Sequence, residues 1–151
     1  MPSSGRKPLP PILFLAALLL ELALHFLIPV ARLVPPPWNL LGLIPVLGGL
    51  AITVIADQQF KRARTPVNPF ASPSSLVTRG VFSFTRNPMY LGMVAALVGV
   101  AVVLGTLTPL GVPFLYAWII WQQFIRMEEV TLLHRFGQPY STYAERVRRW
   151  L

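Results

Sequence analysis

Four long runs with almost no charge govern this chain: Ile12 to about Ile28, about Leu40 to Ala56, Met89 to Leu107, and Pro113 to about Ile125. A stretch of about 17 to 25 apolar residues crosses the hydrocarbon of a bilayer. Inside lipid the backbone can satisfy its own hydrogen bonds only as a helix or a closed barrel. The runs predict an all-α integral membrane protein with four transmembrane helices, in a single domain over residues 1–151. Pro10-Pro11 and Pro29 bracket the first run, and Pro45 and Gly48-Gly49 interrupt the second. Only Thr108 to Val112 separates the third run from the fourth, which predicts a tight antiparallel hairpin of helices 3 and 4. Composition agrees, because 12% charged residues is about half the 25% usual for a soluble domain.

Topology follows from the cations. Arg6 and Lys7 precede the first run, Lys61, Arg62, Arg64, Arg79 and Arg86 lie between the second and third, and Arg126, Arg135, Arg146, Arg148 and Arg149 follow the fourth. These are 12 of the 13 Lys and Arg, against Arg32 alone in the first loop. The positive-inside rule then puts both termini, the loop 57–88 and the tail 127–151 in the cytoplasm, in a cell inner membrane or one of endoplasmic-reticulum type. No small-x-small cleavage site follows the first run, so it reads as a span and not as a signal peptide. The tail is predicted to continue the fourth helix to about Phe136, stop at Gly137, and restart after Gln138-Pro139 as a short amphipathic helix, resting on headgroups through Tyr140, Tyr143, Ala144, Val147 and Leu151.

Several chemistries are excluded. There is no cysteine, hence no disulfide, thiolate metal site or cysteine nucleophile, and two histidines do not make a multi-histidine site, so no metal is expected. Soluble-enzyme signatures are missing: no G-x-G-x-x-G, phosphate loop, G-x-S-x-G or H-E-x-x-H. The +8 net charge suits anionic headgroups better than nucleic acid in so apolar a chain.

Polar residues with chemical potential fall in three groups. The first is Arg79 to Gly92, where Asn87 is a good N-cap and Pro88 a good first-turn residue for a helix whose N-terminus, with Arg86, suits a carboxylate or phosphate; the plainer reading is an interfacial arginine on lipid phosphate, with Tyr90 in the aromatic belt. The second is Glu128-Glu129, one of which must point toward the protein; they suit ribose hydroxyls or an ammonium, unless Arg126 pairs with Glu129 on the helix surface. The third is Phe136 to Tyr143, whose aromatics can enclose a cation or act as interfacial anchors. Inside the first run, Glu21 and His25 stand four apart on one helix face and invite a functional role, a mutual hydrogen bond or an inter-helix packing contact.

The ordered set Gly80-x-Phe82-x-x-x-Arg86-Asn87-Pro88-Met89-Tyr90-x-Gly92, Glu128-Glu129, Phe136-Gly137-x-x-Tyr140-x-x-Tyr143 and Val147-Arg148-Arg149-Trp150 resembles the isoprenylcysteine carboxyl methyltransferase and phospholipid N-methyltransferase superfamily, over about Thr65 to the C-terminus. The resemblance implies methyl transfer from S-adenosyl-L-methionine to a lipidic acceptor, either an isoprenylcysteine carboxylate or an amine phospholipid. It implies catalytic roles for Arg86, Glu128 and Glu129, and cofactor binding by Arg86, Asn87, Pro88, Tyr90, Gly92, Glu129, Tyr140 and Tyr143. The prenylcysteine enzymes typically carry His where this chain has Asn87, which removes a titratable group. An amine acceptor must lose a proton, for which Glu128, Glu129 and His134 are candidates. The competing readings are a non-enzymatic four-span interaction protein with Gly92, Ala95, Ala96 and Gly99 as a contact face, and an NADPH-dependent membrane reductase.

Overall fold

The computed structural model describes residues 9–151; Arg6 and Lys7 lie outside the described residues. Among the described residues there is no β-strand, only one isolated bridge between Arg32 and Thr106. Six α-helices among the described residues carry the fold: α1 (Pro10–Leu27), α2 (Leu43–Arg62), α3 (Pro88–Leu104), α4 (Val112–Ile120), α5 (Arg126–Phe136) and α6 (Gln138–Arg146). Two helical segments, Pro10–Leu27 and Trp38–Arg62, are long and apolar enough to cross a membrane. The core between α1, α3 and α4 is built on Ala17, Met93, Leu97, Val112, Tyr116 and Ile120.

The second helix corrects the expected interruption. A 3-10 turn at Trp38–Gly42 leads straight into α2, which runs unbroken through Pro45, Gly48 and Gly49 and six residues past Ala56. Pro45 falls in the first turn, where its missing N–H has no partner to lose. Gly49 faces α3 instead of breaking the helix, and Gly48 points into open space: a Cβ on Gly49 or Gly92 would collide with backbone of the opposite helix, as would one on Gly42 or Gly99. Gly92 therefore serves helix packing. α3 ends earlier than the apolar run, because Gly105 at φ 73° closes it in the left-handed conformation.

At the end of α3 away from Tyr90, two loops are stitched together. Leu33 N–H donates to Gly105 O at 2.8 Å and Leu107 N–H to Ala31 O at 2.9 Å. His25 Nδ1 lies 2.9 Å from Thr106 Oγ1, so the mutual bond with Glu21 does not form. Glu21 is fully buried, with neither carboxylate oxygen hydrogen-bonded to the described residues.

α4 and α5 are one continuous helix joined by a π-helical turn at Trp121–Ile125. Its inward residues recur every four positions, Val112, Tyr116, Ile120 and Phe124, and the series goes on through Glu128 and Leu132 into a cavity wall. A regular α-helix turns about 100° per residue, so four-residue spacing drifts about 40° per step. The extra residue in the wide turn takes back most of that drift, and the carboxylate stays in line with the core stripe.

Gly137 at φ 57° then ends α5, and α6 starts at Gln138 with Pro139 in its first turn. The apolar side of α6 does not face outward as a headgroup anchor would. Tyr140 and Tyr143 are buried against the protein, and the helix stops at Arg146, so Val147 and Leu151 lie beyond it.

Candidate functional site

Residues 84–87 and 148–149 form the frame of the site. Arg86 N–H donates to Arg148 O at 3.0 Å, Asn87 Nδ2 to Arg149 O at 2.9 Å, and Thr85 Oγ1 to the same carbonyl at 3.2 Å. Asn87 sits at the N-cap position of α3 and its carbonyl accepts from Leu91 N–H at 2.9 Å, but its side chain makes no capping bond. The amide is spent on the tail.

The tail brings Arg149 onto Glu129. Arg149 Nε donates to Glu129 Oε1 at 2.8 Å and Nη2 to Oε2 at 2.7 Å, the bidentate fork of a guanidinium on a carboxylate. Arg86 Nη1 lies 3.2 Å from the same Oε1 and 3.3 Å from the Tyr140 hydroxyl. Glu129 is thereby held between two guanidinium groups. Arg126 takes no part and bonds to Gln122 Oε1 at 3.0 Å. Its expected pairing with Glu129 fails because the two guanidiniums delivered by other segments occupy the carboxylate.

Glu128 has a different environment. It accepts a hydrogen bond from the Tyr90 hydroxyl and makes no ion pair with a described residue. Burial pushes its pKa up to about 7, the Tyr90 bond pulls the other way, and the neighbouring Glu129 charge raises it further. Burial also raises Tyr143, to about 12, and raises Tyr140, so both phenols remain donors at neutral pH. Tyr143 uses its hydroxyl on Phe82 O at 2.6 Å.

These groups share one cavity of about 320 Å³. Arg86, Asn87, Pro88 and Tyr90 line it from the start of α3, Glu128 and Glu129 from α5, and Tyr140 and Tyr143 from α6. Both acids reach it, which resolves which of the pair faces inward. Gly92 does not line it, lying instead in the seam with α2, and His134 stands exposed on α5 away from it. The loop 63–79 covers the cavity with an apolar wall, including Pro66, Val67, Pro69 and Leu76. Ser74 N–H to Thr65 Oγ1 at 3.0 Å and Ser75 Oγ to Ala63 O at 2.8 Å hold this loop in shape. Sequence reasoning missed this wall, the part of Met93 and Phe60 in it, and Arg149 as the clamp on Glu129. Alternating prolines and apolar residues in 65–77 were the available signal for the wall; nothing local in the sequence signalled the clamp.

The arrangement defines a class: an all-helical membrane protein with a charged, aromatic-walled cavity where its apolar helices end. The phospholipid methyltransferase family profile matches residues 38–139, and the chain belongs to that family. Among curated proteins it is similar to the protein-S-isoprenylcysteine O-methyltransferases of Xenopus laevis (31% identity over 113 residues, 72% of this chain and 38% of the relative), Tribolium castaneum (35% over 79 residues, 51% and 27%) and Homo sapiens (36% over 84 residues, 53% and 28%). The chain thus spans well under half the length of the curated relatives it matches.

Proposed function

We propose that this chain is a membrane methyltransferase that uses S-adenosyl-L-methionine and acts on a lipidic acceptor. The observation that carries the reading is the convergence of Arg86, Glu128, Glu129, Tyr140 and Tyr143 on one cavity in a chain of the methyltransferase family. The residues fit the cofactor. Arg86 Nε is buried with no hydrogen-bond partner among the described residues, a free donor for a carboxylate. Tyr140 and Tyr143 offer aromatic faces to a cation, and Glu128 is a carboxylate that pairs with no cation among the described residues. When bound, the cofactor supplies an electrophilic methyl group on a sulfonium. The protein's part is to position both reactants and exclude water, with no need of a nucleophile or metal of its own.

The acceptor classes are a prenylcysteine-like carboxylate and a phospholipid amine. A carboxylate needs no base, whereas an ammonium must lose a proton before it can attack. Glu128 favours the amine: its neighbour Tyr90 orients it, no arginine among the described residues neutralises it, and a pKa near 7 suits a group that takes up a proton at neutral pH. Arg86 and Glu129, locked to each other, hold and orient.

In the membrane, α1 and α2 together with the α3–α4 hairpin make four crossings, with the hairpin turn at Gly105 to Gly111. The cation tally puts the cavity, the loop 57–88 and both termini on the cytoplasmic side, so the cofactor arrives from water and the acceptor from lipid. Residues 1–151 act as one domain. Calorimetric titration of detergent-purified protein with S-adenosylhomocysteine, with NADPH as control, tests the reading. Micromolar binding of the first alone is expected; binding of NADPH alone would identify a reductase, and binding of neither a non-enzymatic membrane protein.

A further inference from the structure

On the outer side of the Arg86–Glu129–Arg149 wall lies a second, open crevice of about 360 Å³. Three guanidinium groups line it, Arg86, Arg126 and Arg149, against one carboxylate, Glu129. Glu128 does not reach it. Glu129 is already held by Arg86 and Arg149, and its single charge cannot neutralise three cations. Arg126 is exposed, and among the described residues its only partner is the neutral Gln122. The crevice therefore carries excess positive charge, where an anion would gain most.

The rest of the lining is apolar or aromatic: Trp121, Val130, Leu133 and the ring of Tyr140. Along α4 the exposed side chains of Phe114 and Trp118 precede Trp121 at four- and three-residue steps, which places them on one helix face. This stripe runs from the apolar segment up to Arg126, where the helix becomes charged. A cationic crevice at the upper end of an exposed aromatic stripe matches a molecule with an anionic head and a hydrocarbon tail.

We propose that this crevice is a binding site for an anionic phospholipid, separate from the methyl-donor cavity, with the phosphate held by Arg126 and Arg149 and an acyl chain lying along Trp121, Trp118 and Phe114. A free phosphate ion would use the same arginines but gain nothing from the stripe. The site stands on the charge and shape of the outer crevice alone and holds whether or not the chain transfers methyl groups.

The test is native mass spectrometry of the protein in a neutral maltoside detergent, with dioleoylphosphatidylglycerol or dioleoylphosphatidylcholine added in turn. Retention of the glycerol lipid on the order of five-fold above the choline lipid is expected, the weight of about one arginine at an anionic head. Arg126→Glu should abolish the preference, whereas Arg62→Glu, the same charge reversal on an exposed residue away from the crevice, should preserve it. Arg126→Gln, with folding followed by circular dichroism, stands in if the reversal disturbs the fold. Equal retention of the two lipids, or equal loss in both reversals, would overturn the proposal. Displacement of the lipid by excess inorganic phosphate would assign the crevice to a free anion and overturn the lipid assignment.

Discussion

Arg149, two residues from the end of the sequence, holds Glu129 through two hydrogen bonds of 2.8 and 2.7 Å. The tail is thus part of the cavity wall, and the backbone carbonyl of Arg149 is itself held by Asn87 and Thr85. Removing the clamp should loosen wall and tail together. Arg149→Ala is expected to cost about 1 kcal/mol or more of stability and to weaken S-adenosylhomocysteine binding. Arg149→Lys should recover only part of either, because an ammonium cannot reproduce the fork. Thermal unfolding and calorimetry on both variants check this; full recovery by lysine would show that charge alone matters.

Glu128 makes stability depend on pH. Its pKa rises from 4.5 to about 7 on folding, so the folded state prefers the protonated acid. The stabilisation is full below the unfolded value and is lost as pH rises through about 7. Glu128→Gln should flatten the decline. Tyr90→Phe removes the bond that opposes the rise, so the midpoint should move upward. Melting temperature against pH in detergent measures all three proteins, and a wild-type curve with no slope across that range would refute the assignment.

The seam between α2 and α3 should respond sharply to one methyl group. Gly99→Ala places a carbon against Gly42 and Val46 and is expected to destabilise by roughly 1–3 kcal/mol. Gly48, on the same helix as Gly49, has nothing within 4 Å of an added Cβ. Gly48→Ala should therefore be neutral or stabilising, by up to about 1 kcal/mol. Similar melting temperatures for the two variants would argue against the close approach.

Tyr143 separates ring from hydroxyl. Tyr143→Phe leaves Phe82 O without its buried donor, a loss of about 1–3 kcal/mol, but keeps the aromatic wall, so affinity for S-adenosylhomocysteine should persist. Tyr143→Ala should lose both. Unchanged affinity in the alanine variant would remove the ring from the cofactor site.

Much of this was legible in the sequence because it is local. Pro10-Pro11, Asn87-Pro88 and Gly137-Gln138-Pro139 are helix boundaries written in a few adjacent residues, and each falls where a helix starts or stops. What the sequence obscured depends on a partner far along the chain. Gly48-Gly49 reads as a break until α3 lies against Gly49, and Arg149 reads as a surface cation until the tail folds back on α5. The amphipathic pattern of α6 shows that one face is apolar and cannot say that the face is covered by Phe82 and Arg86 instead of lipid. Gly92, grouped with the cofactor residues by its motif, belongs to that seam for the same reason.

The wide turn at Trp121–Ile125 makes this helix sensitive to length more than to composition. Its lower half is anchored by apolar contacts and its upper half by Glu128 and Glu129, and the two are brought into phase by a single supernumerary residue. A regular helix with the same number of residues would carry the acids about 100° further round, stranding Tyr90 and Arg149 without their carboxylates while the apolar contacts below the turn stayed in place. Among relatives with this site, loss of one residue here should go together with loss of the wide turn.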